Sequence, residues 1–131
     1  MITAAFWMMI AAAGLAALIH ILFFLMESVL WTRPAVMRIF RQKESDIKST
    51  RLLAFNQGFY NLFLAIGVLA GFALAAGGHR DTGLAVVASN CAVMFGASIV
   101  LLISSPRMLQ GALLQGVAPL LFLVLLALAG A

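Results

Sequence analysis

Residues 4–31 read AAFWMMIAAAGLAALIHILFFLMESVLW, an apolar run that contains the two ionisable residues His20 and Glu27. About 20 apolar residues are enough to cross the ~30 Å hydrocarbon core of a bilayer, so this run predicts a transmembrane helix. An ionisable side chain within such a helix is costly and usually faces the protein interior or a water-filled cavity. His20 and Glu27 therefore indicate where a functional site would lie, although they do not name a reaction.

The composition is that of an integral membrane protein. Of the 131 residues, 65% are hydrophobic and only 9% are charged, whereas a soluble domain carries about 25% charged residues. The length indicates one domain, residues 1–131. Cys91 is the only cysteine, which excludes an intrachain disulfide.

Three further apolar runs follow the first one. Together they predict membrane spans at residues 4–31, 52–77, 83–104 and 109–130. A backbone in lipid must satisfy its own hydrogen bonds, so each span is expected to be a helix. The predicted fold class is all-α, an integral membrane four-helix bundle.

The basic residues predict the orientation of the bundle. The loop 32–51 and the turn 105–110 hold seven of the eight lysines and arginines. The positive-inside rule places this side in the cytoplasm and both termini on the outer, periplasmic side of a bacterial inner membrane. Anionic lipid explains these charges better than nucleic acid, so membrane lipid is an expected partner and nucleic acid is not. Within the loop, the residues after Pro34 favour either a short interfacial helix or a solvated connector.

Polar side chains from several spans fall at one depth. Glu27 lies ~6 Å along the helix from Trp31, at the cytoplasmic end of the first span. The second span runs back from the same side and carries its polar residues in its first turns, and His20 lies near mid-depth. The predicted ligand-binding residues are His20, Glu27, Trp31, Asn56, Gln57, Tyr60, Asn61 and Gln115.

Three interpretations of this cluster remain open. In the structural one, the polar groups only hydrogen-bond between helices and hold the bundle together. In the functional one, they line a pocket that binds the head group of an amphipathic small molecule, such as a lipid or a quinone, while a proton or ion path is a third alternative. No cofactor is expected. No metal site is expected either, because one His, one Glu and one Cys lie at mismatched depths.

Whether the protein is an enzyme is left open by the sequence. In an enzyme, Glu27 would transfer the proton and Tyr60 and His20 would relay it, with the amide side chains orienting the ligand. The rival interpretation is an accessory subunit of a larger membrane complex. A homo-oligomer, dimer or trimer, is also compatible with the small-residue faces, although Gly67-x-x-x-Gly71 is expected to serve packing within the bundle.

Three motifs together resemble a known family. They are Glu27-x-x-x-Trp31, Asn56-Gln57-Gly58-x-Tyr60-Asn61-x-Phe63-Leu64-Ala65-x-Gly67, and Gln115-Gly116-x-x-Pro119. The set is similar to the small four-helix membrane proteins of domain of unknown function 1304. This resemblance implies no activity, but it points to the same polar residues as the site.

A fainter likeness is to the membrane-associated eicosanoid and glutathione metabolism proteins. Arg51-x-x-Ala54-Phe55-Asn56 followed by Phe63-Leu64 resembles the start of their second helix. Phe55 stands in place of their His, and Phe59 or Tyr60 in place of their acid. This likeness implies a small membrane enzyme, a trimer with sites between subunits.

Overall fold

The computed structural model describes residues 4–130, and every regular element within that range is helical. The first helix continues into a π-helical turn at Leu25–Val29, and short 3-10 turns lie at Glu44–Asp46 and Pro106–Met108. The α-helices are α1 (Ala4–Phe24), α2 (Pro34–Ile39), α3 (Ile47–Ala76), α4 (Arg80–Ser104) and α5 (Leu109–Gly130).

Four helical segments are long and apolar enough to cross a membrane, which makes this a multi-pass membrane protein. They are Ala4–Val29, Glu44–Ala76, Arg80–Ser104 and Pro106–Gly130. The four predicted spans are therefore confirmed as helices. The terminal residues 1–3 and 131 lie outside the described range, and the orientation of the bundle in the membrane stays a prediction.

The long helices form a four-cornered bundle. α1 packs against α3 and α5, and α4 packs against the same two helices, so α1 and α4 lie diagonally opposite. Because successive helices run in opposite directions, residues 30–46 and the turn 105–108 lie at one end of the bundle. We call this the loop end.

Small residues let the helices approach closely. A row of alanines on α1 is buried in the main core, together with Val68, Val87, Met94 and Phe122. The predicted role of Gly67-x-x-x-Gly71 in packing within the bundle is confirmed, since a Cβ on Gly71 would lie 2.6 Å from Cγ2 of Val87 on α4.

A second, smaller core closes the loop end. It contains Phe23, Met26, Trp31, Val36 and Ala54. Of the two alternatives for the residues after Pro34, the structure has a short helix, α2, which begins with Pro at its first position because that residue's missing N–H costs nothing there. Its Val36 anchors it over the end of α1.

Candidate functional site

The site begins with a break in the regular winding of α1. The π-helical turn Leu25–Val29 contains Glu27, and such turns are rare and frequent at functional sites. Ser28 donates a hydrogen bond to the Phe55 carbonyl of α3, at 2.8 Å from Oγ to O. Gly58 makes this approach feasible, because a Cβ there would overlap Ser28 Oγ and lie 3.2 Å from Glu27 Cβ.

This contact brings Glu27 against Asn61, one turn further along α3. Asn61 Nδ2 donates to Glu27 Oε2 at 2.7 Å, and both side chains are buried. The sequence predicts that the two residues share a depth, and the structure joins them directly. Asn61 gives Glu27 its one hydrogen bond to the described part of the protein, so Oε1 of the carboxyl group keeps its acceptor capacity.

His20 lies deeper in the bundle and is also buried. Its Nδ1 lies 2.8 Å from the Ala16 carbonyl oxygen, which can only accept, so Nδ1 carries the donated proton. In the neutral ring Nε2 is then an acceptor. Within residues 4–130, every side-chain nitrogen or oxygen that is sealed off from the surface and the cavities has a hydrogen-bond partner. Nε2 has none, so it must be accessible from the cavity beside it.

That cavity, the upper cavity, has a volume of about 440 Å³. Its inner wall carries His20, Asn61 and Gln115, and the rest is mostly apolar. Tyr60 and Phe63 of α3 line it from the outer surface of the bundle, where they are 70% and 60% exposed. The upper cavity therefore opens sideways between α3 and α4, toward the region that lipid would occupy.

A second cavity of about 280 Å³, the lower cavity, continues toward the loop end. Glu27 and Trp31 line it, and it reaches Gln42 in the loop and Ser105 in the turn before α5. Gln57, Leu101 and Gln115 line both cavities. His20 and Glu27 thus border adjoining spaces, with the two glutamines between them.

Gln115 is the least satisfied of the buried polar residues. It is only 7% exposed, yet its amide makes no hydrogen bond within the described protein. Since no sealed side-chain atom lacks a partner in that range, its amide atoms must face the cavities. Pro119, four residues later and also buried, has no backbone N–H. The Gln115 carbonyl therefore lacks the hydrogen bond that it would normally accept within the helix.

The structure places seven of the eight predicted residues at the two cavities and leaves one, Asn56, outside them. His20, Glu27, Gln57, Asn61 and Gln115 line the two cavities, as does Tyr60 at the outer mouth.

The structure does not bring Asn56 into this cluster. Its side chain is exposed and donates to the Leu52 carbonyl of its own helix at 2.9 Å. Asn56 precedes Gln57 by one residue, or ~100° around the helix, which turns it away from the cavities.

Trp31 lines the lower cavity but has a clear packing role besides. Its ring meets Phe40 edge-on, with centroids 5.1 Å apart, and its Nε1 donates to Thr50 Oγ1 at 3.3 Å. These contacts tie the loop to α1 and α3 in the smaller core.

Four polar residues at these cavities were not among the predicted site residues: Asn90, Thr50, and the Gln42 and Ser105 already described. Asn90 of α4 lines the upper cavity, and Thr50 lines the lower one beside Trp31. Asn90 is the only amide of its predicted span, so its isolation in an apolar run was a usable signal. Among residues 4–130, no three His, Cys, Asp or Glu side chains lie close enough together to hold a metal.

A family model described as "Protein of unknown function (DUF1304)" matches residues 14–127. The chain belongs to this family. The match covers all four long helices and the polar residues of both cavities, so the DUF1304 region and the candidate site coincide. No curated protein and no solved structure matches the chain significantly.

Proposed function

We propose that this DUF1304 protein binds one amphipathic small molecule, a lipid or quinone-like compound, in the two adjoining cavities. The observation that carries the proposal is that His20, Glu27 and Gln115 are buried, yet each keeps a polar atom at the cavity wall that has no partner within residues 4–130. In an apolar environment an unpaired polar group costs several kcal/mol, so these atoms favour a polar ligand or water.

The shape of the cavities supports an amphiphile rather than a fully polar solute. The upper cavity lies within the roughly 300–1,000 Å³ range of small-molecule sites. Its lateral mouth between α3 and α4, beside Tyr60 and Phe63, would admit a molecule from the bilayer. A head group would then reach the glutamines, while an apolar tail would lie along Leu64, Val93 and neighbouring side chains.

The chemistry of the wall defines the head group. The His20 Nε2 and the Glu27 carboxyl offer acceptors, whereas Gln57 and Gln115 offer both donors and acceptors. A head group that presents both hydroxyl and carbonyl groups would pair with this set. Glu27 would be the proton-exchanging residue if the bound molecule reacts.

The proposed setting is a bacterial plasma membrane with the loop end in the cytoplasm. Six of the eight basic residues lie in residues 32–51 and Arg107 lies at the same end, which supports this orientation. Reporter fusions after residue 79 and within the loop test it. Phosphatase activity from the fusion at residue 79 and none from the loop is expected, and the reverse would overturn the orientation.

The binding proposal is tested by extraction. The protein would be isolated with its surrounding lipid by a membrane-solubilising polymer, and its small molecules would be identified by mass spectrometry. A compound enriched over bulk lipid at about one per chain is expected. It should be lost from the Gln115→Leu variant and retained by Asn56→Leu, an amide on the outer face.

Two results would count against the proposal. Equal contents in the Gln115→Leu and Asn56→Leu variants would show that the cavities do not hold the compound. Isolation in a stable assembly with other proteins, with no enriched compound, would favour the accessory-subunit alternative.

A further inference from the structure

A separate cavity lies on the opposite flank of the loop end, between α1 and α5. It has a volume of about 320 Å³, and apolar side chains such as Leu22, Met26 and Leu114 form its walls. Three arginines border it: Arg38, Arg41 and Arg107. Phe23 and Met108 line both this cavity and the lower cavity, so they form the partition between the two.

The three guanidinium groups come from two distant parts of the chain. Arg38 lies in the last turn of α2 and Arg41 just beyond it, whereas Arg107 lies in the 3-10 turn that precedes α5. Their convergence is therefore a product of the fold and not of local sequence. Within residues 4–130, no carboxyl group forms an ion pair with any of them.

Arg41 occupies a position where glycine is the usual residue. Two hydrogen bonds close the end of α2, from the Arg41 N–H to the Arg38 carbonyl and from the Gln42 N–H to the Met37 carbonyl. This pair defines a Schellman motif, whose next-to-last residue adopts a left-handed backbone. Arg41 has φ of 52°, the only positive φ of a non-glycine residue in the described range.

A non-glycine residue in the left-handed backbone conformation costs conformational energy, and such residues are frequent at functional sites. Glycine would fit the left-handed conformation without steric cost, but it would supply no charge. Arg41 instead extends a cation to the border of the cavity, beside Arg38 and Arg107.

We propose that this cavity binds one anionic phospholipid, whose phosphate the three arginines hold while an acyl chain lies along Leu22 and Leu114. Guanidinium groups form charge-assisted, often bidentate hydrogen bonds with phosphate oxygens. The arginines lie at the loop end, where lipid head groups would lie if the bundle spans a bilayer, and the apolar walls continue from there along the exposed faces of α1 and α5. The site does not depend on the two cavities of the proposed function.

The test uses full-length protein in detergent and two lipids, phosphatidylglycerol and phosphatidylcholine, with retention measured by native mass spectrometry. We expect one retained phosphatidylglycerol per chain in preference to phosphatidylcholine. Arg41→Gly should weaken this binding about fivefold, the contribution of one arginine near an anionic lipid. The same variant should unfold at the same or a higher temperature, since glycine suits the backbone there.

Arg33→Gln is the matched control. Arg33 belongs to the same loop and carries the same charge, but it does not line the cavity. It should leave phosphatidylglycerol retention unchanged, and the combined Arg38→Gln, Arg41→Gln and Arg107→Gln variant should lower it about a hundredfold.

Three outcomes would overturn the proposal. Equal losses for Arg33→Gln and Arg41→Gly would show diffuse attraction to the basic loop and no site. Equal retention of the two lipids would show that net negative charge is not recognised. Retention of inorganic phosphate in place of phosphatidylglycerol, when the two are supplied at equal concentration, would show that free phosphate, not a lipid, is the ligand.

Discussion

The contact between Gly58 and Ser28 allows a prediction with a defined sign. In Gly58→Ala, the new Cβ would overlap Ser28 Oγ and lie 3.1 Å from the Ser28 backbone nitrogen. The serine must rotate and lose its bond to Phe55, which costs about 0.6–1.7 kcal/mol in a membrane protein. Overpacking adds about 1–3 kcal/mol, against a gain of at most about 1 kcal/mol from the better helix propensity of alanine.

The expected net effect is a destabilisation of about 1–4 kcal/mol. Gly96→Ala is the matched control, because nothing lies within 4 Å of a Cβ at that position of α4. It should be neutral or stabilising by up to about 1 kcal/mol. The same chemical change is thus predicted to have opposite signs at the two positions.

Unfolding in mixed micelles, titrated with a denaturing detergent and followed by circular dichroism, measures both free energies. A double-mutant cycle with Ser28→Ala adds a second test. Both substitutions remove the same hydrogen bond, and Ser28→Ala also removes the Oγ that the new Cβ would overlap. The double variant should therefore be more stable than the sum of the single effects by at least about 0.6–1.7 kcal/mol. Equal stabilities of Gly58→Ala and Gly96→Ala would refute the close-approach argument.

Three further predictions follow from individual side chains. Asn61→Leu should destabilise the protein by about 1–3 kcal/mol, because it leaves the buried Glu27 carboxyl group without its donor. Asn56→Leu should change stability by less than about 0.5 kcal/mol, and equal effects of the two substitutions would contradict the difference in burial between the two amides. Trp31→Phe should cost about 0.5–1.5 kcal/mol through its lost bond to α3, and Trp7→Phe, at an exposed ring, should cost nothing measurable by the same titration. Cys91, fully buried, should react with a maleimide only as the protein unfolds, and rapid labelling of the folded protein would contradict its position.

The sequence predicts the helices well because hydropathy and helix length are properties of single segments. One boundary differs at the start of α3, which begins at Ile47 and not at residue 52. Hydropathy marks only the apolar part of a helix, and the polar first turn, residues 47–51, carries no such signal. The π-helical turn Leu25–Val29 is likewise invisible, because neither glycine nor proline marks it and it coincides with packing against α3.

The sequence predicts how deep the site residues lie along the helices, but not which way their side chains face. Counting residues from the loop end places Glu27 and Asn61 at one level, and the structure joins them. The same count places Asn56 at a similar depth and makes it an equally good candidate for the site, although its side chain faces outward. Which face of a helix meets its neighbours depends on how the helices rotate against one another, and depth alone does not determine that rotation.

The rotation is nonetheless encoded, in two glutamine–glycine pairs. Gly58 brings α3 against Ser28, and Gly116 brings α5 against Ser98, since a Cβ on either glycine would overlap the serine hydroxyl. Each glycine follows a glutamine, Gln57 or Gln115, that lines both cavities. Adjacent residues lie ~100° apart around a helix. A glycine in close contact with a neighbouring helix therefore places the glutamine before it beside that contact. The two pairs thus set the close helix contacts and the polar cavity wall together, which explains why a substitution at Gly58 is expected to disturb the Glu27 environment as well as the packing.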